Sequence, residues 1–403
     1  MARAVKVRPS LTSWCAFAMV RIRIPNGLLL SHQLRTIADV TEKYARGSAD
    51  ITVRQNIQLH WVTIGDLPNV LDALWRAGLT TMGSCGDDVR NIIGCPVAGV
   101  DANELYDASS LVNQANRQFV GNSEFYNLPR KFKICITGCH AWCSYPEIND
   151  VGLTAVRRNG REVGFSLRVA GGLSTDPHLA KRVDAFVLPN QVLPVLKGIA
   201  PIFRDSEVLR ENRDRARLKF LFLKHGWTAD HFLSELKGCL GFELPPAVPE
   251  EIPDDIYRDH VGIRRQKQHG YCYVGASVLR GRISAAQLHA AADLSERYAA
   301  GELRTTNMQN LLIVNVPERN APILAGALQL VGLPTEGSPF RRGIIACSGT
   351  EFCKLAITET KSFGRWLAEE LDERLPGFEQ HLQDGSRWIA LWTRRPGDDS
   401  NRP

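Results

Sequence analysis

The sequence predicts an α+β fold with a pseudo-two-fold duplication of ferredoxin-like half-domains. Two observations support this prediction. Residues 33–62 and 287–316 align without a gap at a constant offset of 254 positions. Each copy also alternates strand-like and helix-like patterns of apolar residues. Because a unit of about 70 residues occurs only twice, we expect a two-fold pair and not a solenoid.

The repeat rests on identical residues at matched positions. These pairs are Gln33/Gln287, Ala38/Ala292, Glu42/Glu296, Tyr44/Tyr298, Gly47/Gly301, Thr52/Thr306, Gln55/Gln309, Asn56/Asn310, Pro68/Pro322 and Gly78/Gly332. Agreement of this extent at one offset is improbable by chance.

Each copy is expected to follow the order β-α-β-α-β of a small ferredoxin-like sandwich. In the first copy the expected strands are residues 20–24 and 50–62, and the expected helices are residues 31–44 and 67–77. Ser31 is the expected N-cap of the first helix, and Gly47 is the expected stop.

The remaining chain divides around the two copies. The expected boundaries are 20–84 for the first half-domain, 85–242 for an α/β domain, 243–260 for a linker, 261–336 for the second half-domain and 337–403 for an incomplete second α/β domain. Residues 129–153 and 163–172 have the composition of buried strands. The linker is rich in proline and acidic residues, which cannot continue a helix or a central strand.

Composition excludes several classes of protein. The 403 residues are 44% hydrophobic and 23% charged, as in ordinary globular proteins. The net charge is +6, and the basic residues are interspersed with acidic residues along the chain. This pattern favours a basic cleft for a small anion over a nucleic-acid surface. No apolar run approaches the ~20 residues that span a bilayer. The first 21 residues resemble a secretory signal but run directly into a predicted strand, so we predict a cytoplasmic protein.

The cysteines are clustered along the chain. They are Cys15, Cys85, Cys95, Cys135, Cys139, Cys143, Cys239, Cys272, Cys347 and Cys353. Ten cysteines in 403 residues are too sparse for a disulfide-dense domain, so the clustering favours metal ligation. Cys347 and Cys353 supply half of the four thiolates that a [4Fe–4S] cluster takes.

A second group of cysteines lies in the first half of the chain. Cys139 and Cys143 form a Cys-x3-Cys pair, and Cys85 and Cys95 bracket Arg90. Zinc is one interpretation, although these spacings differ from the two-residue knuckles of structural zinc sites. Buried free cysteines are the alternative for Cys85 and Cys95.

Four basic residues are candidates for an anion pocket. Lys131 and Lys133 alternate along a predicted strand, so both side chains should project to one face. Arg54 lies near a strand end, and Arg90 lies in a predicted loop. The functional interpretation is a pocket that neutralises a polyanionic ligand, and the alternative is solvated surface cations.

Gly171 and Gly172 end a predicted strand, where glycine lets the backbone approach a ligand closely. A simple turn is the alternative. The sequence contains no Walker loop, no Gly-x-Gly-x-x-Gly after a strand, no His-Glu-x-x-His and no Gly-x-Ser-x-Gly.

Together these segments resemble the siroheme nitrite/sulfite reductase family. The resemblance runs in order from about residue 20 to about residue 365 and includes the duplication. It is carried by residues 51–60, 87–91, 127–133, 146–153, 171–174 and 346–353.

The resemblance implies a six-electron reduction of nitrite to ammonia or of sulfite to sulfide. It implies siroheme and a [4Fe–4S] cluster as cofactors, joined by a shared cysteine thiolate. A ferredoxin-like protein would supply the electrons one at a time. Neither a nucleic acid nor a membrane is an expected partner.

The resemblance also implies roles for individual residues. Arg54, Lys131 and Lys133 would line the substrate side. The implied cofactor-binding residues are Arg90, Gln55, Asn56, Gly171, Gly172, Gln309 and Asn310, and the implied cluster ligands are Cys347 and Cys353, with Cys139 and Cys143 as further candidates. Siroheme carries many carboxylates, whose burial requires cations.

The sequence departs from the family after Cys353. The family has a second Cys-x3-Cys pair a few tens of residues later, whereas no cysteine follows Cys353 here. We therefore expect a chain that lacks its C-terminal part and has little or no turnover as it stands. One alternative is a complete reductase that recruits Cys139 and Cys143. Another is a non-catalytic binding fold that keeps only the cationic pocket.

Overall fold

The structure, a computed structural model, describes residues 17–174, 176–253, 258–353, 356–376, 378 and 389–391. The leader-like start before residue 17 and most of the cysteine-free segment after residue 376 lie outside the described residues. Predictions about those segments therefore have no structural counterpart here.

The described residues form strands and helices throughout. The strands are β1 (Phe17–Ile22), β2 (Leu28–Leu30), β3 (Ser48–Ile51), β4 (Ile57–Thr63), β5 (Ile134–Thr137), β6 (Val151–Arg158), β7 (Glu162–Val169), β8 (Lys181–Val187), β9 (Gly262–Arg265), β10 (Tyr271–Ala276), β11 (Arg282–Ser284), β12 (Glu302–Thr305), β13 (Leu311–Pro317), β14 (Ile344–Ala346) and β15 (Ile389–Leu391). The helices are α1 (Ser31–Tyr44), α2 (Leu67–Arg76), α3 (Ser109–Phe119), α4 (Val192–Arg204), α5 (Lys219–Lys224), α6 (Ala229–Cys239), α7 (Ala285–Tyr298), α8 (Ala321–Leu330), α9 (Pro339–Gly343), α10 (Gly349–Phe352) and α11 (Lys361–Arg374).

The chain divides into two compact units. The first contains the described residues of 1–81, 100–102 and 259–394, and therefore both copies of the repeat. The second contains the described residues of 82–99 and 103–258. Within the described residues, no helix is both long enough and apolar enough to cross a membrane.

The first unit has the predicted duplication but a different element order. Each copy reads β-β-α-β-β-α, from β1 to α2 and from β10 to α8, instead of β-α-β-α-β. The predicted strand 50–62 is in fact the hairpin of β3 and β4, which pair antiparallel. Thr52 N donates to Asn56 O at 2.8 Å across the turn, and Gln55 has a φ of 56°. This left-handed residue reverses the chain where the alternation alone predicts continuity.

The two copies exchange short strands. β2 of the first copy pairs with β12, and β11 of the second copy pairs with β3. The resulting sheets have the orders β1-β4-β3-β11 and β2-β12-β13-β10-β9. Each copy therefore completes a sheet of the other, so the two half-domains form one cooperative unit.

Two glycines allow this exchange. Gly27 has a φ of 72°, and an added Cβ would lie 2.2 Å from Thr305 O. Its counterpart Gly281 has a φ of 69°, and an added Cβ would lie 2.7 Å from Ile51 O. Only glycine combines the left-handed backbone with so close an approach of another chain segment.

The start of α1 differs in detail from the prediction. Ser31 is the first helical residue and not the N-cap. The orphan N–H of Leu30 instead donates to Gln33 Oε1 at 3.0 Å. Gly47 behaves as predicted, since its φ is 69° and its N–H donates to Thr41 O at 3.0 Å. Leu34 and Ile37 on the buried face of α1 are fully buried in the core of this unit.

The second unit is built on the sheet β5-β6-β7-β8. The predicted strand 129–153 is not continuous, because β5 ends at Thr137 and β6 begins at Val151. β5 and β6 are parallel, so the segment between them must carry the chain back to the end of the sheet at which β5 begins. The helices α3, α4 and α6 pack on this sheet around a core that includes Phe132, Phe165 and Phe203.

Part of the predicted linker is ordered against this sheet. Phe186 N in β8 donates to Pro245 O at 2.8 Å. Glu250 forms a largely buried ion pair with Arg168 of β7. Burial alone would raise the pKa of Glu250, but its hydrogen bonds to Arg168 and Ser166 and the positive charges of Arg168 and Arg182 together lower that pKa. Residues 245–250 therefore belong structurally to the second unit.

Candidate cofactor and metal sites

Arg54 lies in the turn between β3 and β4 of the first unit. Its backbone N–H donates to Thr52 Oγ1 at 3.2 Å, and its side chain is half-buried. The buried Gln55 beside it donates from Nε2 to Asn26 O at 3.1 Å and to Thr305 O at 3.2 Å. The predicted cofactor residue Gln55 therefore fixes the turn that presents Arg54.

Asn56 and Asn310 occupy equivalent positions and make equivalent contacts. Asn56 Oδ1 accepts from Ile24 N at 3.1 Å, and Asn310 Oδ1 accepts from Val278 N at 2.9 Å. Both side chains are buried. Each of these two predicted cofactor residues forms a hydrogen bond with the backbone of its own copy of the repeat. A role toward a cofactor therefore stays a prediction.

Gln309 fixes the backbone that leads into Cys347. Its Nε2 donates to Ala346 O at 3.2 Å, and its Oε1 accepts from Ala346 N at 3.0 Å. Gln309 Nε2 also donates to Ile51 O at 2.9 Å. One amide therefore joins the hairpin of the first copy to the strand that ends at the predicted cluster ligand.

The two predicted cluster ligands flank the short helix α10. Cys347 and Cys353 are both half-buried thiols. Thr360 Oγ1 donates to Cys347 O at 2.6 Å and lies 3.7 Å from Cys347 Sγ. Cys353 N donates to Gly349 O at 2.9 Å at the end of the helix. Partly exposed thiols on a backbone held in this way fit the donor chemistry of an iron–sulfur cluster.

A buried charge network lies beside this segment. Asp50 accepts from Arg282 at 2.9 and 3.2 Å, lies 3.6 Å from Lys361 Nζ and lies 3.4 Å from His60 Nε2. Arg282 also pairs with Glu351 of α10 at 2.9 Å. Burial alone would raise the pKa of Asp50, but the His60 hydrogen bond and the two cations hold that pKa well below its usual range.

Arg90 lies in a loop of the second unit and is held by that loop. Its guanidinium donates to Gly86 O at 2.7 and 3.1 Å and to Ser84 O at 3.2 Å. Its Nε lies 3.3 Å from Asp88 Oδ1. The guanidinium is therefore oriented before any ligand binds, although its role toward siroheme carboxylates stays a prediction.

Lys131 and Lys133 flank the buried Phe132, as the predicted alternation requires. These residues precede β5 and are not part of it, which corrects the prediction that they lie within a strand. Phe132 forms an isolated parallel bridge with Val89. Both lysines are half-buried.

A buried ion pair supports Lys133. Asp150 Oδ2 accepts from Lys133 N at 2.8 Å and from Arg217 at 2.9 Å, while Oδ1 accepts from Arg217 Nε at 3.0 Å. Asp150 is completely buried. The sequence prediction assigned no role to Asp150 or Arg217, because nothing in their local pattern links residue 150 to residue 217.

Gly171 and Gly172 follow β7 where the chain packs most closely. A Cβ on Gly171 would lie 2.4 Å from Glu147 O, and one on Gly172 would lie 3.0 Å from an Arg217 nitrogen. Close packing within the protein accounts for both glycines. Their contact with a cofactor stays a prediction.

Three buried thiols converge in the second unit. The Sγ atoms of Cys95, Cys139 and Cys143 all lie within 4.8 Å of one another. Hydrogen bonds with Cys139 and Cys143, together with burial, raise the pKa of Cys95 well above its usual value. The sequence prediction grouped Cys139 with Cys143 and Cys95 with Cys85, and it left zinc ligation and a buried free cysteine open for Cys95.

A sequence signal for Cys95 exists. Arg90, Ile92, Ile93 and Cys95 match Arg342, Ile344, Ile345 and Cys347 at an offset of 252 positions. Cys95 is thus the first-half counterpart of a predicted cluster ligand, and its match lies just beyond the repeat that defined the half-domains.

The structure brings the candidate residues together in two groups. Arg54, Gln309 and the Cys347–Cys353 segment belong to the first unit, and Arg90, the two lysines and the three converging thiols belong to the second. These features define a class of protein: a duplicated ferredoxin-like α+β protein with cations suited to an anionic cofactor and thiols suited to metal.

Comparison with known proteins specifies this class. The family described as nitrite/sulfite reductase ferredoxin-like half domain matches residues 16–76 and 264–331. The family described as nitrite and sulphite reductase 4Fe-4S domain matches residues 85–243. The chain belongs to the nitrite and sulphite reductase family. Siroheme and a [4Fe–4S] cluster are the cofactors that this family implies, which confirms the cofactor prediction at the level of the family.

Individual relatives agree. The assimilatory ferredoxin-dependent nitrite reductase of Haloferax mediterranei is 37% identical over 389 residues, which cover 89% of this chain and 65% of the relative. The chloroplastic ferredoxin–nitrite reductase of Zea mays is 39% identical, with 89% and 64% covered. The ferredoxin sulfite reductase of Mycobacterium tuberculosis is 36% identical, with 91% and 65% covered.

A solved structure confirms the fold. The Mycobacterium tuberculosis NirA protein superposes with a TM-score of 0.86 at 36% identity, covering 91% of this chain and 66% of that one. The prediction of an α+β fold with repeated ferredoxin-like half-domains is therefore confirmed. The chain spans about 65% of the length of the curated relatives it matches.

Proposed function

We propose that this chain belongs to an enzyme that reduces nitrite to ammonia or sulfite to sulfide with electrons from a ferredoxin-type donor. The observation that carries the proposal is the order of the family matches, in which the two ferredoxin-like half-domains enclose the 4Fe-4S domain along the chain. The relatives are named as nitrite reductases and as sulfite reductases, and both are named as ferredoxin-dependent.

The basic residues would hold siroheme and the substrate. Arg90, already oriented by backbone carbonyls, would pair with cofactor carboxylates, because a guanidinium binds a carboxylate through two parallel hydrogen bonds. Siroheme, when bound, would supply the iron at which the anion is reduced. The positive charge of these side chains offsets the cost of burying a polycarboxylate.

Lys131 and Lys133 would act on the substrate anion. Their ammonium groups can donate hydrogen bonds to its oxygen atoms and can supply protons as those oxygens leave as water. Phe132 between them is fully buried, and Asp150 holds the backbone of Lys133, so the spacing of the lysines is set by the fold. The substrate-side role of Arg54 stays a prediction from the resemblance.

Cys347 and Cys353 would supply two thiolates to the [4Fe–4S] cluster. Gln309 and Thr360 fix the backbone of this segment, so the Cys347 thiol needs little reorganisation to bind iron. A cluster bound by four thiolates would need two further ligands besides Cys347 and Cys353.

The cytoplasmic location stays a prediction from the sequence.

The test is reduction driven by dithionite-reduced methyl viologen in protein reconstituted with siroheme, iron and sulfide. Protein with a complete cluster should form ammonium from nitrite or sulfide from sulfite. Formation of neither product by protein that carries siroheme and four cluster irons would contradict the proposal. Running both substrates in parallel also decides which one the site prefers.

A second candidate function is a non-catalytic protein that binds siroheme or another anion. It is favoured by one observation: Arg90 is held by the carbonyl oxygens of Gly86 and Ser84, so this cation is in place without any cluster. The two candidates differ in their iron content. Siroheme binding without acid-labile sulfide and without turnover would select the binding protein, whereas acid-labile sulfide together with turnover would select the reductase.

A further inference from the structure

We propose that Cys95, Cys139 and Cys143 form a binding site for a single thiophilic divalent ion of the Zn²⁺ class. The site lies wholly within the second unit and is independent of the cluster ligands Cys347 and Cys353. It therefore goes beyond the proposed reductase function and does not rest on it.

The fold brings the three thiols together from distant parts of the sequence. Ile93, two residues before Cys95, forms a parallel bridge with Cys135 of β5, and Ile136 N donates to Ile93 O at 2.9 Å. Cys139 follows the end of the same strand. Cys143 lies in the loop after it and approaches Cys95 with a Sγ–Sγ distance of 3.5 Å.

Local hydrogen bonds hold the loop that carries two of the thiols. Thr137 Oγ1 lies 3.3 Å from Cys139 Sγ, and that Sγ lies 3.4 Å from Ala141 O. Tyr145 N donates to Trp142 O at 2.7 Å and closes the turn around Cys143. The thiols are thus arranged before a metal binds, which lowers the cost of assembling the site.

The spacing of the sulfur atoms fits one ion. Ligands of a tetrahedral zinc ion, each at about 2.3 Å, lie roughly 3.8 Å from one another. The three Sγ atoms here lie within 4.8 Å of one another, and one pair is at 3.5 Å. Thiolates of a four-iron cluster bind different iron atoms and must lie farther apart. The geometry therefore favours a single ion over an iron–sulfur cluster.

Ordinary core packing is the alternative, and Cys135 illustrates it. Cys135 is also fully buried, yet its Sγ donates to Ser144 Oγ at 3.1 Å and it is not part of the group of three. Three converging sulfurs at ligand spacing are not needed to fill a core. Three thiolates leave a fourth coordination position for water or an exogenous ligand.

Cobalt titration of the reduced, full-length chain tests the proposal, because Co²⁺ replaces Zn²⁺ and its thiolate charge-transfer absorption reports the ligands. We expect one Co²⁺ per chain, displaced by Zn²⁺. Cys95→Ala and Cys139→Ser should each weaken binding at least tenfold. Cys135→Ser and Cys272→Ser are matched controls, since both remove a buried thiol outside the group, and both should bind as the parent does.

The double variant Cys347→Ser/Cys353→Ser separates this site from the proposed cluster. It should lose acid-labile sulfide and keep the Co²⁺ site. X-ray absorption of the zinc-loaded parent protein, which needs no variant, should show three sulfur scatterers at about 2.3 Å. Absence of stoichiometric binding, binding unchanged in Cys95→Ala, a disulfide between these cysteines, or iron with sulfide at this site would each overturn the proposal.

Discussion

At the scale of single residues, the candidate substrate site depends on two lysines that flank one buried phenylalanine. Phe132 is completely buried and bridges to Val89, so the backbone that carries Lys131 and Lys133 is fixed. In the proposed function, this fixed backbone would hold the two ammonium groups ready for a small anion.

Lys131→Ala should lower turnover of an active reductase by about 10²–10³, the usual effect of removing one preorganised donor. Steady-state reduction of nitrite or sulfite with reduced viologen measures this effect. Lys224→Ala removes an exposed lysine of α5 and should leave turnover unchanged. Wild-type turnover in Lys131→Ala would remove the lysine from the substrate site.

The buried pair of Asp150 and Arg217 should matter for stability. Arg217→Ala leaves a fully buried carboxylate without its partner, which should cost about 3–5 kcal/mol of unfolding free energy. The control Arg213→Ala removes an exposed partner of Asp87 and should cost no more than about 1 kcal/mol. Urea denaturation compares the two variants. Equal losses of unfolding free energy in the two variants would show that burial of the Asp150–Arg217 pair adds nothing to stability.

The depressed pKa of Asp50 predicts that the stability of the protein depends on pH. Its folded-state pKa is depressed, so its stabilising contribution is fully present above the unfolded value of ~3.9 and is lost as the pH falls toward the folded value. Between about pH 5 and about pH 3, the unfolding free energy of the wild type should therefore fall more steeply than that of Asp50→Asn. Asp72→Asn, at an exposed position of α2, should follow the wild type. Parallel curves for wild type and Asp50→Asn would contradict the assignment.

At the scale of elements, the helices of the repeat could be predicted and the hairpins could not. The predicted helix 31–44 coincides with α1 because its apolar residues follow one helical face that is buried. The predicted strand 50–62 runs across a turn because apolar residues recur at every second position both before and after Gln55. Gln55 sets that turn, and its amide bonds to Thr305, which is distant in sequence and invisible to a local pattern.

The exchange of strands between the copies predicts a difference between two glycines. Gly27→Ala would place a Cβ on a left-handed backbone and in a clash with Thr305 O. Gly47→Ala would place a Cβ on a similar left-handed backbone, but with no other atom within 4 Å of it. Gly47→Ala should cost about 1–2 kcal/mol of unfolding free energy, and Gly27→Ala should cost about 1–3 kcal/mol more. Gly281→Ala should resemble Gly27→Ala. Chemical denaturation that gives equal costs for Gly27→Ala and Gly47→Ala would show that the close approach does not constrain the fold.

At the scale of the whole molecule, the duplication could be predicted because identical residues recur at one offset. The site could be predicted only in part. The basic residues and Cys347 lie in short motifs that the sequence displays, but Cys95 joins Cys139 and Cys143 through a bridge between residues 93 and 135. The repeat at an offset of 252 relates Cys95 to Cys347, but long-range pairing leaves no local pattern that joins Cys95 to Cys139 and Cys143.

The most direct test of the central claim is a titration of the full printed chain with siroheme, with protohaem as the matched ligand. Protohaem carries far fewer carboxylates, so a pocket built from Arg90, Lys131 and Lys133 should discriminate between the two. We predict one siroheme per chain and affinity for protohaem at least tenfold weaker. Equal affinity for both ligands, or no binding of siroheme, would contradict the account.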